Sequence, residues 1–322
     1  VGLPKWFHDK LHMETILKSH RSLIPIGFGR LCLYLILGLF LGSCLKVVDM
    51  DVEETPNLLV VNCFFTEDEP FVVHVSRLAP YPDLNDRTIR NAKVSLYAND
   101  IFAGNLPFVK YSDDKNTFVY SSNSVRAKRG VLYKIQVESP GYPVATAKDS
   151  LPGSVKIDSV FYMSAAGLYD DGLSYDQFSI VMNDTPQTEY YLIQILGLYD
   201  YGNSREYGPM DIFSDDPVIV AEGITGSAIK DYFVFTESIF KNTKYRLKIN
   251  VPGHLTDDTK LFKVALSSGT VHYFQYLKRL NNHESYSYQD PFTPYDPVQL
   301  YSNVENGTGI FAGYCTSLFD LK

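Results

Sequence analysis

Alternation of apolar and polar side chains, repeated in short runs, governs most of this sequence. Phe71–Arg77 (FVVHVSR) alternates, and Ala92–Ala98 (AKVSLYA) places Val94 and Leu96 on one face. Asn57–Phe65, Thr117–Tyr120, Val131–Val137 and Val144–Ala147 are further apolar runs rich in β-branched and aromatic residues. A period of two marks a strand with one buried face, whereas a helix repeats near 3.6. Gly, Pro, Asn and Asp bound these runs and turn the chain. Leu151-Pro152-Gly153 closes the series, so a first β-sandwich of immunoglobulin-like size is expected over residues 55–152.

A second series begins at Val155. Val155–Met163, Gln177–Met182, Glu189–Leu198, Val218–Val220, Tyr232–Phe235, Tyr245–Val251 and Leu261–Ser267 all read as strands. Then the period changes. Val271, Phe274, Leu277 and Leu280 recur at three-residue steps, which predicts one amphipathic helix over Thr270–Asn282 with Thr270 as its cap. A loop rich in Tyr, Pro and Asp follows at 285–297, and Val298–Tyr301 and Gly309–Tyr314 read as closing strands. The expected fold class is therefore mainly β. It comprises two β-sandwich-like domains, the larger C-terminal one at 155–322 carrying one packed helix near 270–282.

Ahead of the strands, residues 1–30 carry Lys5, Lys10, Lys18, Arg21 and Arg30 against only Asp9 and Glu14. Leu31–Leu41 (LCLYLILGLFL) is then apolar apart from Cys32 and Tyr34. Eleven residues are too few to span a bilayer, which needs about 20. They fit the apolar core of a secretory signal behind a positive flank. The run ends in Leu41-Gly42-Ser43-Cys44, which resembles the bacterial lipobox. Small residues admit the backbone to a peptidase cleft, and the Cys44 thiol takes the diacylglyceryl group. Several acyl chains, at about 0.8 kcal/mol per buried methylene, give a stable anchor where one would not. Residues 1–43 are thus expected to be a lipoprotein signal peptide and 44–54 a lipidated tether. Asp49, Asp51, Glu53 and Glu54 resemble the acidic export signals of Bacteroidota surface lipoproteins, or serve only to solvate the tether.

The formal net charge is −8, and residues 1–43 contribute +3 of it, leaving −11 on the remainder. A phosphate backbone is held by clustered positive charge, so nucleic acid is not an expected partner. Cys63 and Cys315 sit in apolar, strand-like surroundings, and either buried free thiols or a disulfide fits them. Neither has a metal-ligand partner at useful spacing.

No Gly-x-Ser-x-Gly elbow, HExxH helix, P-loop or Rossmann glycine pattern occurs, so no catalytic residue and no cofactor are assigned. His74 falls in a strand and His272 in the helix; both read as surface or cap residues rather than bases. Asp170, Asp171 and Asp176 share a Gly-containing loop, a weak calcium candidate. Calcium takes about six to eight oxygens, and the spacing of a calcium-binding helix–loop–helix is lacking. Asp215 and Asp216 form a second acidic pair.

Aromatic loops are the better candidates for contact. Tyr199, Tyr201 and Tyr207 fall in one segment, and Tyr286, Tyr288, Phe292 and Tyr295 in another. Tyr supplies contact area with a polar tip and is enriched at interfaces. The single Trp is Trp6, in the leader, which weakens a carbohydrate platform. Asp149-Ser150-Leu151 and Asp158-Ser159-Val160 resemble short O-glycosylation acceptors of Bacteroidota envelope proteins, at Ser150 and Ser159.

Four stretches together resemble one family. They are the lipobox with its tether; Leu59-Val60-Val61-Asn62; the pair Ser139-Pro140-Gly141-Tyr142 and Leu151-Pro152; and the tail Leu300–Tyr314 (LYSNVENGTGIFAGY). The chain resembles the Bacteroidota outer-membrane lipoproteins gathered as domain of unknown function 4249. Its first domain is also similar to prealbumin-like sandwiches near TonB-dependent receptors, through Ala92–Leu96 and the Gly130, Tyr133, Gly141-Tyr142 spacing. The resemblance implies a location and an association with TonB-dependent transporters, and no activity. In the tail, Asn303, Asn306, Gly307 and Gly309 suit tight turns, and Ile310, Phe311 and Tyr314 suit a core or an interface.

The function expected is that of a lipid-anchored outer-membrane or cell-surface protein, a non-enzymatic accessory or ligand-capturing partner of a TonB-dependent transporter. A fimbrillin-like subunit or adhesin is the alternative, and a surface hydrolase ranks below both.

Overall fold

The computed structural model describes residues 56–79, 86–112, 117–169, 172–183, 189–200, 202, 204–224, 226, 228–241, 243–253, 261–287 and 299–321. The first half contributes eight strands. They are β1 (Leu59–Phe65), β2 (Pro70–Arg77), β3 (Lys93–Ala98), β4 (Ile101–Leu106), β5 (Phe108–Ser112), β6 (Thr117–Arg126), β7 (Leu132–Glu138) and β8 (Ala145–Ser150). The second half adds β9 (Ile157–Leu168), β10 (Ser174–Asn183), β11 (Tyr190–Asp200) and β12 (Arg205–Pro209). It continues with α1 (Pro217–Val220), β13 (Phe233–Thr236), β14 (Lys244–Pro252), β15 (Phe262–Gly269), α2 (Val271–Ser287) and β16 (Gly307–Leu321).

Among these strands, one large sheet runs in the order β12-β11-β15-β16-β1-β2-β6-β5, with β13 beside β12 on the same edge of β11. Two smaller sheets, β4-β3-β7-β8 and β14-β10-β9, complete the architecture. Alternation along β16 shows where they pack. Phe311 and Cys315 enter the core of the first small sheet, and Phe319 and Leu321 lean on that of the second. All four are odd positions, so both small sheets cover one face of the large sheet. Ile310 and Ala312, on the opposite face, pack under α2 with Tyr273, Phe274 and Leu277. The molecule is mainly β, with two sandwich-like cores sharing one sheet.

In the first core β2 follows the predicted alternation and β1, read as a continuous apolar run, alternates as well: Leu59, Val61, Cys63 and Phe65 of β1, with Phe71, Val73 and Val75 of β2 beside them, pack against Val94 and Leu96 of β3. β16 ties the halves together. It pairs in parallel with β1 from Leu59↔Gly307 to Phe65↔Gly313, then antiparallel with β15 from Gly269↔Tyr314 to Phe262↔Leu321. The segment expected to separate two domains, 152–155, crosses this strand. The Cys315 thiol reaches Pro152 O at 3.6 Å, the Ser317 hydroxyl donates to Val155 O, and the Ser268 hydroxyl donates to Gly153 O. Residues 54–322 form one compact unit.

Three local expectations are corrected. Val218–Val220 lies in helix α1 and is not a strand. The Asp216 carboxylate caps it by accepting from Val218 N at 3.1 Å, and Pro217 presets the first helical φ. Tyr245 OH (2.6 Å) and Lys248 N (3.0 Å) complete the bonding of Asp216. Residues 299–301 form no strand, and Val298 lies outside the described residues. In the tail, only Asn306 (φ 54°) and Gly309 (φ 113°) take positive φ; Asn303 and Gly307 do not. The helix α2 does form, one turn longer than expected, and Thr270 caps it by accepting from Tyr273 N at 3.4 Å.

Candidate functional site

The hairpin of β11 and β12 carries the first predicted aromatic segment. Leu198 pairs with Tyr207, Tyr199 with Glu206 and Asp200 with Arg205. Directly opposed residues share a face, so Tyr199 and Tyr207 present their rings on opposite faces of the ribbon. Both are substantially exposed, at 40% and 38%. Tyr199 lies across Gly208 and donates its hydroxyl to Pro209 O at 3.2 Å. A Cβ at Gly208 would stand 3.2 Å from that ring. The Lys263 ammonium sits 4.4 Å from the Tyr207 ring centre.

Beside the hairpin, a concavity of about 440 Å³ is lined by Leu198, Asp200, Arg205 and Leu261. Asp200 accepts from Gly202 N at 2.8 Å and from Arg205 Nε at 3.1 Å. The Gly202 amide and then the Arg205 guanidinium hold its carboxyl below the usual range. The arrangement offers aromatic faces, an ion pair and two leucines, groups that contact surfaces commonly carry.

Other predicted residues are more scattered. Tyr286 lies in the last turn of α2, and Tyr201, Tyr288, Phe292 and Tyr295 fall outside the described residues. So do Leu41, Gly42, Ser43 and Cys44, and the calcium candidates Asp170 and Asp171. Asp176 is fully buried, and its carboxylate accepts from Tyr162 OH (2.7 Å) and Ala165 N (2.8 Å). That carboxylate holds Ala165 at φ 50° within an irregular stretch of β9. Among the described residues, no three His, Cys, Asp or Glu side chains converge on a metal position. Ser159 lies on β9, which pairs only with β10 among the described strands. Neighbouring Asp158 is bonded to Asn183 and Lys244. Ser150 ends β8, and the Asp149 before it is folded inward.

Tail residues build a joint rather than an open loop. The Asn303 carboxamide donates to Phe311 O at 2.8 Å and accepts from Phe311 N at 3.0 Å, imitating a neighbouring strand. Asn62 Oδ1 accepts from Ile310 N at 3.2 Å. Asp149 Oδ2 takes the Gly313 amide at 2.9 Å and the Thr270 hydroxyl at 2.6 Å, and His272 Nδ1 lies 2.7 Å from Tyr301 OH. Burial, the dominant influence, raises the Asp149 pKa. Sequence reasoning missed Asp149; an acidic residue in a strand otherwise alternating toward the core (Ala145, Ala147, Asp149) was its only signal.

Cys63 and Cys315 are free and buried. Cys63 pairs with Phe311, four residues from Cys315 along β16, which is about 13 Å of strand. A disulfide needs Cα atoms within about 7 Å. Desolvation pushes the Cys63 thiol up to about 12, so it is an inert core thiol.

Fold and site together define a mainly β protein with an exposed aromatic hairpin at one end of its large sheet. Residues 46–317 match the model of the family described as a domain of unknown function, DUF4249, and the chain belongs to that family. No protein of curated function matches the sequence.

Proposed function

We propose that this chain is a lipid-anchored outer-membrane protein of Bacteroidota type that serves, without catalysis, as an accessory or ligand-capturing partner of a TonB-dependent transporter. The observation that carries the reading is Leu41-Gly42-Ser43-Cys44 behind an eleven-residue apolar run with a positive flank. Cys44 is the lipid attachment point, residues 45–54 the tether, and the β11–β12 hairpin with Tyr199 and Tyr207 the contact surface. Exposed aromatic rings held by backbone and lysine contacts give contact area at low entropic cost, which supports that assignment. Metabolic labelling with palmitate tests the anchor: wild type takes up label and Cys44→Ala does not. Label retained by Cys44→Ala contradicts it.

One observation favours a second reading, the fimbrillin-like subunit or adhesin. The twelve-residue strand β9 pairs only with β10 among the described strands, leaving an edge of the kind that strand addition uses. A ladder of self-associated species on an unheated gel would establish that reading.

A further inference from the structure

The outer face of the large sheet is only partly covered by α2. Where the helix leaves β1, a notch of about 290 Å³ opens between β1, β2 and Tyr276. Its floor is Val72 and Ile310, and Phe64 forms a wall, set edge-on to Tyr276 at 5.6 Å and to Tyr273 at 5.1 Å. Asn62 and His74 are cross-strand partners, so they stand side by side at one rim. The Ile310 amide engages Asn62 Oδ1, which fixes the carboxamide and leaves its NH₂ as the group available to a guest.

We propose that this notch binds one uncharged planar ring, a heteroaromatic group whose polar edge meets Asn62 and His74 while its faces lie against Val72, Ile310 and Phe64. Size sets the first limit. The volume is about ten times a water's share of the liquid, enough for one or two fused rings and too little for an oligomer. Charge sets the second. No carboxylate, lysine or arginine lines the notch among the described residues, so an ionic guest would lose hydration without a partner. Partial burial lowers the His74 pKa, so at neutral pH its imidazole offers one donor and one acceptor, as a heteroaromatic edge does. Burial raises the Tyr276 pKa, keeping its hydroxyl protonated beside the same space.

Saturation-transfer NMR on the purified full chain tests this, with benzimidazole and adenine as probes and glucose and benzoate as comparisons, all at millimolar concentration. A heteroaromatic probe is expected to give transfer signals and both comparisons none. His74→Ala, which removes one neutral hydrogen bond, should weaken binding about fivefold. His74→Trp places a ring in the notch from the outer face of β2, and should abolish the signal while a thermal melt shows the chain still folded. Binding unchanged in His74→Trp, preference for glucose or benzoate, or no signal from either heteroaromatic probe would overturn the proposal.

Discussion

The carboxylate of Asp149 accepts the backbone amide of Gly313 at 2.9 Å, across 164 residues of sequence. The same oxygen takes the hydroxyl of Thr270, the cap of α2, while Thr270 N donates to Gly313 O at 3.2 Å. One side chain of β8 thereby fixes the tail strand and the start of the helix. Asp149→Ala removes the acceptor from three donors (Gly313 N, Thr270 OH and Ser150 N) in a buried setting, and a loss of about 2–4 kcal/mol is expected from chemical denaturation.

The same residue sets a pH dependence. Burial raises its folded pKa above the unfolded value, so in the pH window between the two the folded state binds more protons than the unfolded chain. Its contribution is fully present below the ordinary carboxylate range and is lost as pH rises through the folded pKa. The stability difference between wild type and Asp149→Asn should therefore be larger at acidic than at neutral pH. A difference that widens toward neutral pH would contradict this.

Gly313 in the tail and Gly130 in the turn before β7 have unequal consequences. A Cβ at Gly313 would stand 2.2 Å from Ser150 O, against backbone that cannot yield. Gly313→Ala should cost about 3 kcal/mol or more, or abolish folding. Gly130 has φ 75° and open space around it, so Gly130→Ala carries only a left-handed backbone penalty of about 1–2 kcal/mol. Thermal melts of the two variants side by side separate close approach from conformational strain.

Thiol chemistry follows from register. With Cys32 and Cys44 replaced by Ser, Cys63 and Cys315 should react with an aromatic disulfide reagent only on unfolding, releasing two equivalents. A mass lower by two hydrogens in the unreduced protein would reveal a bridge that the pairing of Cys63 with Phe311 forbids.

Strands with one fully buried face were legible because the period of two is local. β2 and β7 lie within a few residues of their predicted runs; β1 and β15, the latter buried on both faces, were legible from apolar, β-rich composition instead. β4 (IFAGNL) and β12 (REYGP) were not, because nearly all their side chains are exposed or half-buried and no alternation forms. Val218–Val220 misled through β-branched composition, where the Asp216 cap and Pro217 decided the local structure. The joint at Asp149 and the parallel pairing of β1 with β16 depend on contacts separated by most of the chain, and no local pattern encodes them. The hairpin tyrosines were legible by composition, whereas the notch at Asn62 and His74 arises only when β2 and α2 meet.

The contact surface proposed on the β11–β12 hairpin is expected to be separable from the fold. Tyr207→Ala removes an exposed ring and one lysine contact, for about 1 kcal/mol or less in a denaturation curve.

Affinity purification of the tagged chain from gently solubilised outer membranes, followed by mass spectrometry, tests the central claim most directly. Wild type should bring down a large β-barrel transporter in near-equal amount, and the Tyr199→Ala/Tyr207→Ala variant should lose it while remaining folded and lipidated. Recovery of the chain alone, or of long arrays of itself, would contradict the transporter account.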